Sequence, residues 1–589
     1  VEWLPYSGLQ GDSLLENPFG ELKKRVRERA IETFSEIGIE IEDIEVKETE
    51  REFGDLTITK CFELAKNLRR SPREIALEFA SSFKGDDLIE RVEVAGPGYL
   101  NFWGSPLYLR EVVESALQLE RSFGKSRFGS GKEICVEHTS VNPTGPIHIG
   151  RARNSALGDS LSRIYSFLGY KVHREYYVND LGRQVAILVW YYLKSGGNFE
   201  AENKRGDLFV WDFYVKEGNE ELERLGEEGE REIREIMKRY EEGKDEELRE
   251  VFRRLVQSCL DGYEEVLGEL GVKFDSFQWE SEISWESSAR KVIEELLRRG
   301  ICKKDEEGAL YIDGSELGRD KIYLTRGDGT TLYRTRDLAY CIKKAEKFHF
   351  YVNVLGEDHK QEVAELNYLL EILGIKKPLV LFYSYVSLPE GKMSTRKGKV
   401  VLLHDVIEES IKRARGVIEE KRRDKDEEFK EKVSREIGRS AVRFALVRIS
   451  PEKPVIFKWE EVLDFEKQGA PFLIYSLVRA KGIIRKASEL GFTPREFDPS
   501  FCSESEILLI KEMGKFPERV LEAGREMKPS IIATYSLNLA ELFNQFYRDS
   551  PVISSEKNVA ESRLCVVRAF EFVMGNSLWL LGLPELEEM

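Results

Sequence analysis

The chain has 589 residues, of which 41% are hydrophobic and 33% charged, and a formal net charge of −17. That length exceeds one hydrophobic core and predicts roughly three to five domains, while the acidic balance excludes unshaped adhesion to nucleic acid but not a locally basic face. No run of eighteen apolar residues and no basic-then-apolar leader is visible, so no membrane span is expected and the cytoplasm is the expected compartment. Seven scattered cysteines, none in CxxC spacing, argue against a zinc site of the usual kind and against a disulfide framework.

Residues 19–37 carry apolar side chains at helical spacing and run into Gly38. "DLTITKCFELAKNLRR" reads as a second helix, and "SPREIALEFASSF" as a third that opens on Ser-Pro. "VEVAGPGYLNFW" alternates like a strand broken by a Gly-Pro-Gly turn. A small mixed α+β domain over 1–110 is the expectation.

From 132 the pattern changes. "EICVEHT" reads as strand, 150–168 as helix, "KVHREYYV" as strand and 183–194 as helix, which predicts parallel strands joined by crossover helices. Charge-dense sequence over about 199–300 reads as an exposed helical insertion. The alternation resumes with "RTRDLAYCIKKAEK" (helix), "FHFYVNVLG" (strand), "DHKQEVAELNYLLEILG" (helix) and "PLVLFYSYVSL" (strand), followed by the loop "PEGKMSTRKGK". Almost every segment after about 404 has helical period. The predicted class is α/β: a Rossmann-type doubly wound parallel sheet over 125–435, preceded by the small domain and followed by an all-helical region over 436–589.

Two loops carry chemistry. In "NPTGPIHIGRARN", Pro143, Gly145 and Pro146 shape a turn after a strand, and Gly150 opens a helix without a side chain. A helix N-terminus there favours phosphate, His148 can donate to a phosphate oxygen, and Arg151 can do so through a charged fork. "KMSTRKGK" places Lys392, Arg396, Lys397 and Lys399 within eight residues, and a loop with Gly391 and Gly398 at its ends is suited to close over a triphosphate and stabilise a leaving pyrophosphate. Taken singly, the first stretch also reads as an ordinary strand–turn–helix junction and the second as solvated surface. Paired across a doubly wound sheet, they predict an adenylate-forming site.

With these loops in place, the chain resembles the arginyl-tRNA synthetases of class I over nearly its whole length. "VEHTSVNPTGPIHIGRARN" resembles the first signature, "YYVNDLGRQ" the segment after it, "LYRTRDLAY" the amino-acid-binding segment, "VLGEDH" the next strand end and "KMSTRKGK" the second signature. "FGDLT…VAGPGYLNF" resembles the additional N-terminal tRNA-binding domain, and "GRSAVRFALVR" through "NSLWLLGLPE" the helical anticodon-binding domain. The resemblance implies a two-step reaction. L-Arginine attacks the α-phosphate of Mg-ATP to give arginyl-adenylate and pyrophosphate, and the terminal adenosine of tRNA(Arg) then takes the arginyl group on its 2′-hydroxyl. It also implies that bound tRNA is needed for the first step, that magnesium arrives with the nucleotide rather than at a protein metal site, and that the protein is a monomer.

Roles follow residue by residue. His148, Arg151, Lys392, Arg396 and Lys397 are the catalytic candidates, and Pro146, Gly150, Asn154, Met393 and Ser394 join His148 and Arg151 around ATP. For arginine, a carboxylate that takes the guanidinium in bidentate fashion points to Asp337, with Tyr333 one turn earlier closing the pocket. Glu137, Asn142 and His148 flank it, and Asp358 and His359 stand at a strand end. Tyr99 and Phe102, near the Gly turn, and Tyr547 with Arg548 are candidates for tRNA bases. Arg443, Arg448 and Arg479 are candidates for phosphates, and Trp579 is expected in the core. Two departures stand out: Arg151 replaces the second signature histidine, and Thr395 replaces the second-signature lysine, with Gly145 where a compensating lysine would fall. They raise the alternative of a tRNA-binding protein that no longer activates an amino acid; the intact pocket argues against it. A class I synthetase for another amino acid is the third reading, weakened by the "GPGYLNF" domain and the lack of an evident editing insertion.

Overall fold

A computed structural model describes residues 16–197, 204–387, 401–553 and 555–589. Asn17 accepts from the Gly20 amide and Pro18 opens α1 (Pro18–Glu36), whose Phe19, Leu22, Val26, Ala30 and Phe34 face the core. An antiparallel sheet follows, with β1 (Lys47–Glu48), β2 (Leu56–Ile58), β3 (Ile89–Ala95) and β4 (Tyr99–Gly104) in the order β1-β2-β4-β3. The β3–β4 turn uses Gly96 and Gly98 at φ +51° and +147°. Two helices cover the sheet, α2 (Lys60–Leu68) and α3 (Pro72–Ser82), the latter started by a Ser71/Glu74 capping box. The helix expected over "DLTITKCFELAKNLRR" is shorter. Leu56, Thr57 and Ile58 are all buried and pair with Phe102, Asn101 and Leu100, so the first residues serve as a strand.

Helix α4 (Pro106–Leu119) leads into β5 (Glu133–Glu137), α5 (Ile149–Phe167), β6 (Lys171–Val178) and α6 (Arg183–Lys194). The charged segment supplies α7 (Gly206–Trp211), α8 (Asn219–Leu225), α9 (Glu227–Glu242) and α10 (Glu246–Gly268). It is not wholly helical: β7 (Ser276–Trp279) lies within it and pairs in parallel with β6. After α11 (Glu280–Trp285) and α12 (Ser288–Arg298), the chain makes a small antiparallel sheet that periodicity did not reveal, β8 (Lys303–Lys304), β9 (Leu310–Asp313) and β10 (Lys321–Tyr323). Then come α13 (Tyr333–Lys347), β11 (Phe350–Gly356), α14 (Lys360–Leu373) and β12 (Leu379–Tyr383).

The main sheet has the order β12-β11-β5-β6-β7 and every pairing in it is parallel. It is doubly wound as expected, with the winding reversing between β5 and β11, where a crevice opens at the strands' C-terminal ends. "PLVLFYSYVSL" is not one strand. After β12 the chain turns out of the sheet, and β13 (Val386–Ser387) pairs instead with β14 (Val455–Ile456).

The remainder is helical: α15 (Leu403–Lys421), α16 (Glu427–Val447), the short α17 (Trp459–Val462), α18 (Ala470–Glu489), α19 (Glu504–Gly514), α20 (Phe516–Glu526), α21 (Pro529–Asp549) and α22 (Lys557–Leu581). Helix α22 is apolar and long enough to cross a membrane by length and composition, but 89% of that stretch is buried in the protein. It is a core helix that packs on α4, α5, α18 and α21.

Candidate active site at the sheet crevice

The chain leaves β5 under strain. Thr139 and Ser140 adopt φ of +72° and +43°, a region unfavourable for residues with a Cβ and most of all for a β-branched one. Hydrogen bonds hold them there: the Thr139 amide donates to Asn154 Oδ1 at 2.6 Å, Thr139 Oγ1 to Ser155 Oγ at 2.8 Å, and the Tyr177 amide to Ser140 Oγ at 3.1 Å. Asn154 also donates to the Val354 carbonyl at 2.8 Å. It is buried and bridges the ends of β5 and β11, so its place is in the wall of the crevice rather than against a nucleotide, as the sequence had suggested.

The loop then passes beneath the insertion helices. Tyr263 Oη lies 2.6 Å from the Gly145 carbonyl oxygen and 3.0 Å from that of Asn142. A Cβ at Gly145 would stand 2.2 Å from the Trp211 ring, so the position of the absent lysine is filled by a tryptophan of α7. Pro146 is buried and shapes the turn from below. Asn142 is exposed, with its amide 3.3 Å from Gln184.

His148 is the N-cap residue of α5, and its ring does not cap the helix. Burial and the neighbouring Arg151 guanidinium push its pKa down to about 4, so at neutral pH the ring is an uncharged donor and acceptor. A Cβ at Gly150 would approach the His148 ring to 3.1 Å, which explains a glycine in the first turn. Arg151 is exposed and has no ion-pair partner among the described residues. Lys392, Met393, Ser394, Arg396, Lys397 and Thr395 lie outside the described residues. The chain returning from them reaches the site: the Ile149 amide donates to the Val401 carbonyl at 3.2 Å and the Leu403 amide to the Ile147 carbonyl at 2.8 Å.

Below the crevice lies a group of carboxylates with unequal partners. Glu137, at the end of β5, is 2.5 Å from Lys344 of α13, which also donates to Asn353 at 3.0 Å. For Glu175 of β6, burial opposes ionisation, but hydrogen bonds from His173, Tyr340 and Ser276 and the charge of Lys344 hold its pKa down at about 2. Glu280 is 2.7 Å from Arg336. Asp337 has no cation partner among the described residues. Burial and the Glu280 and Glu137 carboxylates push its pKa up to about 8, against the pull of Arg336 and Lys344. Tyr177 stacks on Tyr340 at 4.7 Å, and its buried hydroxyl has no hydrogen-bond partner among the described residues. Glu175, Glu280, Lys344 and Tyr177 were not singled out from the sequence, because each acquires its meaning only from contacts distant along the chain.

The rim is formed separately. Tyr333 opens α13 with part of its ring exposed, and burial of the rest together with Glu362 raises its pKa. His359 Nδ1 is 2.5 Å from the same Glu362, so Glu362 joins the two. Asp358 is exposed on the turn after β11, not in the pocket with Asp337.

The RNA candidates divide. Tyr99 is 41% exposed and meets Phe62 edge-on at 5.0 Å. Phe102 is 1% exposed and packs on Phe79 and Phe83, which leaves no face for a base and corrects that assignment. Tyr547 is 44% exposed, and the Arg479 guanidinium lies over its ring and that of Tyr475, at 4.6 and 4.7 Å. These three, with Lys421, Arg548 and Met589, line a cavity of about 720 Å³ between the C-terminal helices. Trp579, expected in the core, is 43% exposed with Arg163 over its ring at 5.5 Å. Arg443 is buried and Arg448 is paired with Glu461 at 2.5 Å, so neither offers a free charge to phosphate.

Comparison with known proteins finds three matching stretches. Residues 112–459 match the class I (R) tRNA synthetase catalytic domain, 20–103 the arginyl tRNA synthetase N terminal domain and 473–589 the DALR anticodon binding domain. The arginine–tRNA ligase of Methanocella arvoryzae is 39% identical over 563 residues, covering 94% of this chain and 97% of that protein. That of Archaeoglobus fulgidus is 40% identical over 541 residues, with 92% and 96% covered. Among solved structures, Thermus thermophilus arginyl-tRNA synthetase superposes with a TM-score of 0.80 at 27% identity, covering 96% of this chain and all of the other. A methionyl-tRNA synthetase of Mycobacterium tuberculosis shares the fold alone, at a TM-score of 0.52 and 12% identity. Similarity of this extent, carried through all three matched regions, makes the chain a member of the arginine–tRNA ligases, the arginyl family of class I aminoacyl-tRNA synthetases.

Proposed function

We propose that the protein joins L-arginine to tRNA(Arg) at the expense of ATP. The observation that carries this reading is Asp337, a carboxyl group below the crevice whose neighbours Glu137 and Glu280 have cations of their own while it has none among the described residues. A guanidinium supplies the missing charge and two parallel N–H donors, and a neutral or shorter side chain leaves the acid unpaired. Tyr333 closes the pocket from the rim. The arginine carboxylate is thereby directed toward the N-terminus of α5, where one of its oxygens attacks the α-phosphorus of ATP. The new P–O bond forms as the bond to pyrophosphate breaks. Neutral His148 and the exposed Arg151 fork stabilise the phosphate charge, with the helix dipole behind them. Lys392, Arg396 and Lys397 are the further cations assigned to the departing pyrophosphate.

In this reading magnesium comes bound to the triphosphate. In the second step the 2′-hydroxyl oxygen of the terminal adenosine attacks the arginyl carbonyl carbon, AMP leaves with the bonding pair, and the hydroxyl proton is released to solvent. The cavity lined by Arg479, Tyr475 and Tyr547 is assigned to an unpaired base of the anticodon loop, and Tyr99 to a base contacted by the N-terminal domain. The protein acts as a monomer in the cytoplasm. The test is exchange of labelled pyrophosphate into ATP with arginine, lysine, glutamine or cysteine, with and without tRNA. Exchange with arginine alone among them, dependent on tRNA, is expected; exchange driven by another amino acid, or tRNA binding without any exchange, overturns the proposal.

A further inference from the structure

Two buried arginines join α5, the helix of the first signature, to α16, and they do so from opposite sides. Arg153 lies about one turn past His148, is fully buried and has no ion-pair partner among the described residues. Its four terminal N–H groups are spread over four carbonyls: Ser384 at 2.6 Å, Lys453 at 2.8 Å, Ser450 at 3.0 Å and Ile449 at 3.2 Å. Its Nε has no partner among the described residues, and burial lowers its pKa to about 10. Ile449 and Ser450 lie just past the C-cap residue Arg448, so Arg153 binds carbonyls of the turn that leaves α16. In return, Arg443 of α16 reaches Asp159 of α5 at 2.6 Å, and also the Leu581 carbonyl at 2.6 Å and the Leu270 carbonyl at 2.5 Å. It therefore closes the ends of α22 and α10 as well.

A buried guanidinium without a carboxylate partner is an expensive way to fill space, since an apolar side chain of similar length avoids the desolvation. What the guanidinium adds is direction. Ser384 follows β12, and its hydroxyl donates to Glu357 at the end of β11 at 2.9 Å. The turn at 449–453 is where the chain passes toward the helices that line the Tyr475–Tyr547 cavity. From the signature helix, Arg153 thus touches both the crevice edge at Ser384 and the entry to the C-terminal helices at 449–453.

We propose that Arg153 is a positioning residue for arginine activation: it fixes the first turns of α5 against the turn at 449–453, so that RNA held by the C-terminal helices determines where His148 and Arg151 meet the nucleotide. This rests on the function proposed above. Arg153→Lys keeps the charge but cannot address four carbonyls. In pyrophosphate exchange at saturating arginine, ATP and tRNA, turnover is expected to fall about ten- to a hundredfold, with the KM for ATP and the Kd for tRNA within about twofold of wild type. Arg443→Lys, which loosens the same joint from the other side, is expected to show the same split and decides the matter if Arg153→Lys does not fold. Turnover within about twofold of wild type overturns the inference, as does a loss shared in proportion by turnover, tRNA affinity and melting temperature, which marks a purely structural residue. Wild-type protein run in parallel separates the two levels: no exchange there removes the proposed function and this inference with it, whereas normal wild-type exchange with an unaffected variant removes the inference alone.

Discussion

Replacing Asp337 by asparagine keeps the shape of the side chain and removes its charge. Leaving one member of a buried pair without its partner costs about 3–5 kcal/mol. The wild type does not realise all of this at pH 7, because a carboxyl with a pKa of about 8 must first lose its proton, at about 1.4 kcal/mol per unit. The net loss is about 2–4 kcal/mol, or a roughly 30- to 1,000-fold rise in the KM for arginine with the KM for ATP unchanged. The same reasoning sets a pH dependence. The ionised fraction of Asp337 rises about eightfold from pH 7 to 8.5, so the wild-type KM for arginine falls by that factor while that of Asp337→Asn stays flat. Stability moves in the opposite sense. The folded pKa lies above the unfolded value near 4, so the folded state binds the extra proton and loses stability as pH rises from about 4 to 8. The unliganded Asp337→Asn protein is therefore expected to melt higher than wild type at pH 8. Steady-state exchange at pH 7, 7.75 and 8.5 on both proteins checks this; a wild-type KM that does not vary with pH, or a variant within about threefold of wild type at pH 7, refutes the argument.

Three further outcomes are expected. Gly145→Ala drives a Cβ into the Trp211 ring and lowers stability by about 1–3 kcal/mol, visible in thermal melting, and paired with Trp211→Ala it costs less than the sum of the single changes. Lys344→Met strands the Glu137 carboxylate in a buried site and destabilises by about 3–5 kcal/mol in denaturant titration. Tyr547→Ala removes a stacking surface worth about 1–3 kcal/mol, weakening tRNA in filter binding by roughly 5- to 150-fold while the KM for arginine is unchanged.

Where a segment's own periodicity determines its environment, the sequence was sufficient. The strands at Glu133–Glu137, Lys171–Val178 and Phe350–Gly356 and the helices at Ile149–Phe167 and Lys360–Leu373 all lie where alternation and helical spacing put them. Leu56–Ile58 did not reveal itself, because a short apolar run beside a helical pattern suits either state until a partner strand chooses. Ser276–Trp279 was hidden by the charged helices around it. Among the candidate site residues, His148, Arg151 and Asp337 could be named from motifs. Lys344 could not, being a lysine in a run of lysines whose burial depends on Glu137, more than 200 positions earlier. Phe102 and Trp579 exchanged the surroundings expected of them for a related reason: residue type gives an average exposure, and packing by neighbours decides the particular one.

Helix α22 has a consequence for how the protein is made. Of the elements described it is the last to leave the ribosome, yet it packs on α4 and α5, which are made several hundred residues before it. Until it arrives, the apolar face that α5 turns toward it has no cover, and α22 itself is apolar enough to join a membrane or another nascent chain. The nucleotide-binding half therefore cannot complete its core during its own synthesis. Molecules cut short before Lys557 are expected to be cleared by chaperones and proteases, not to persist as partly active fragments.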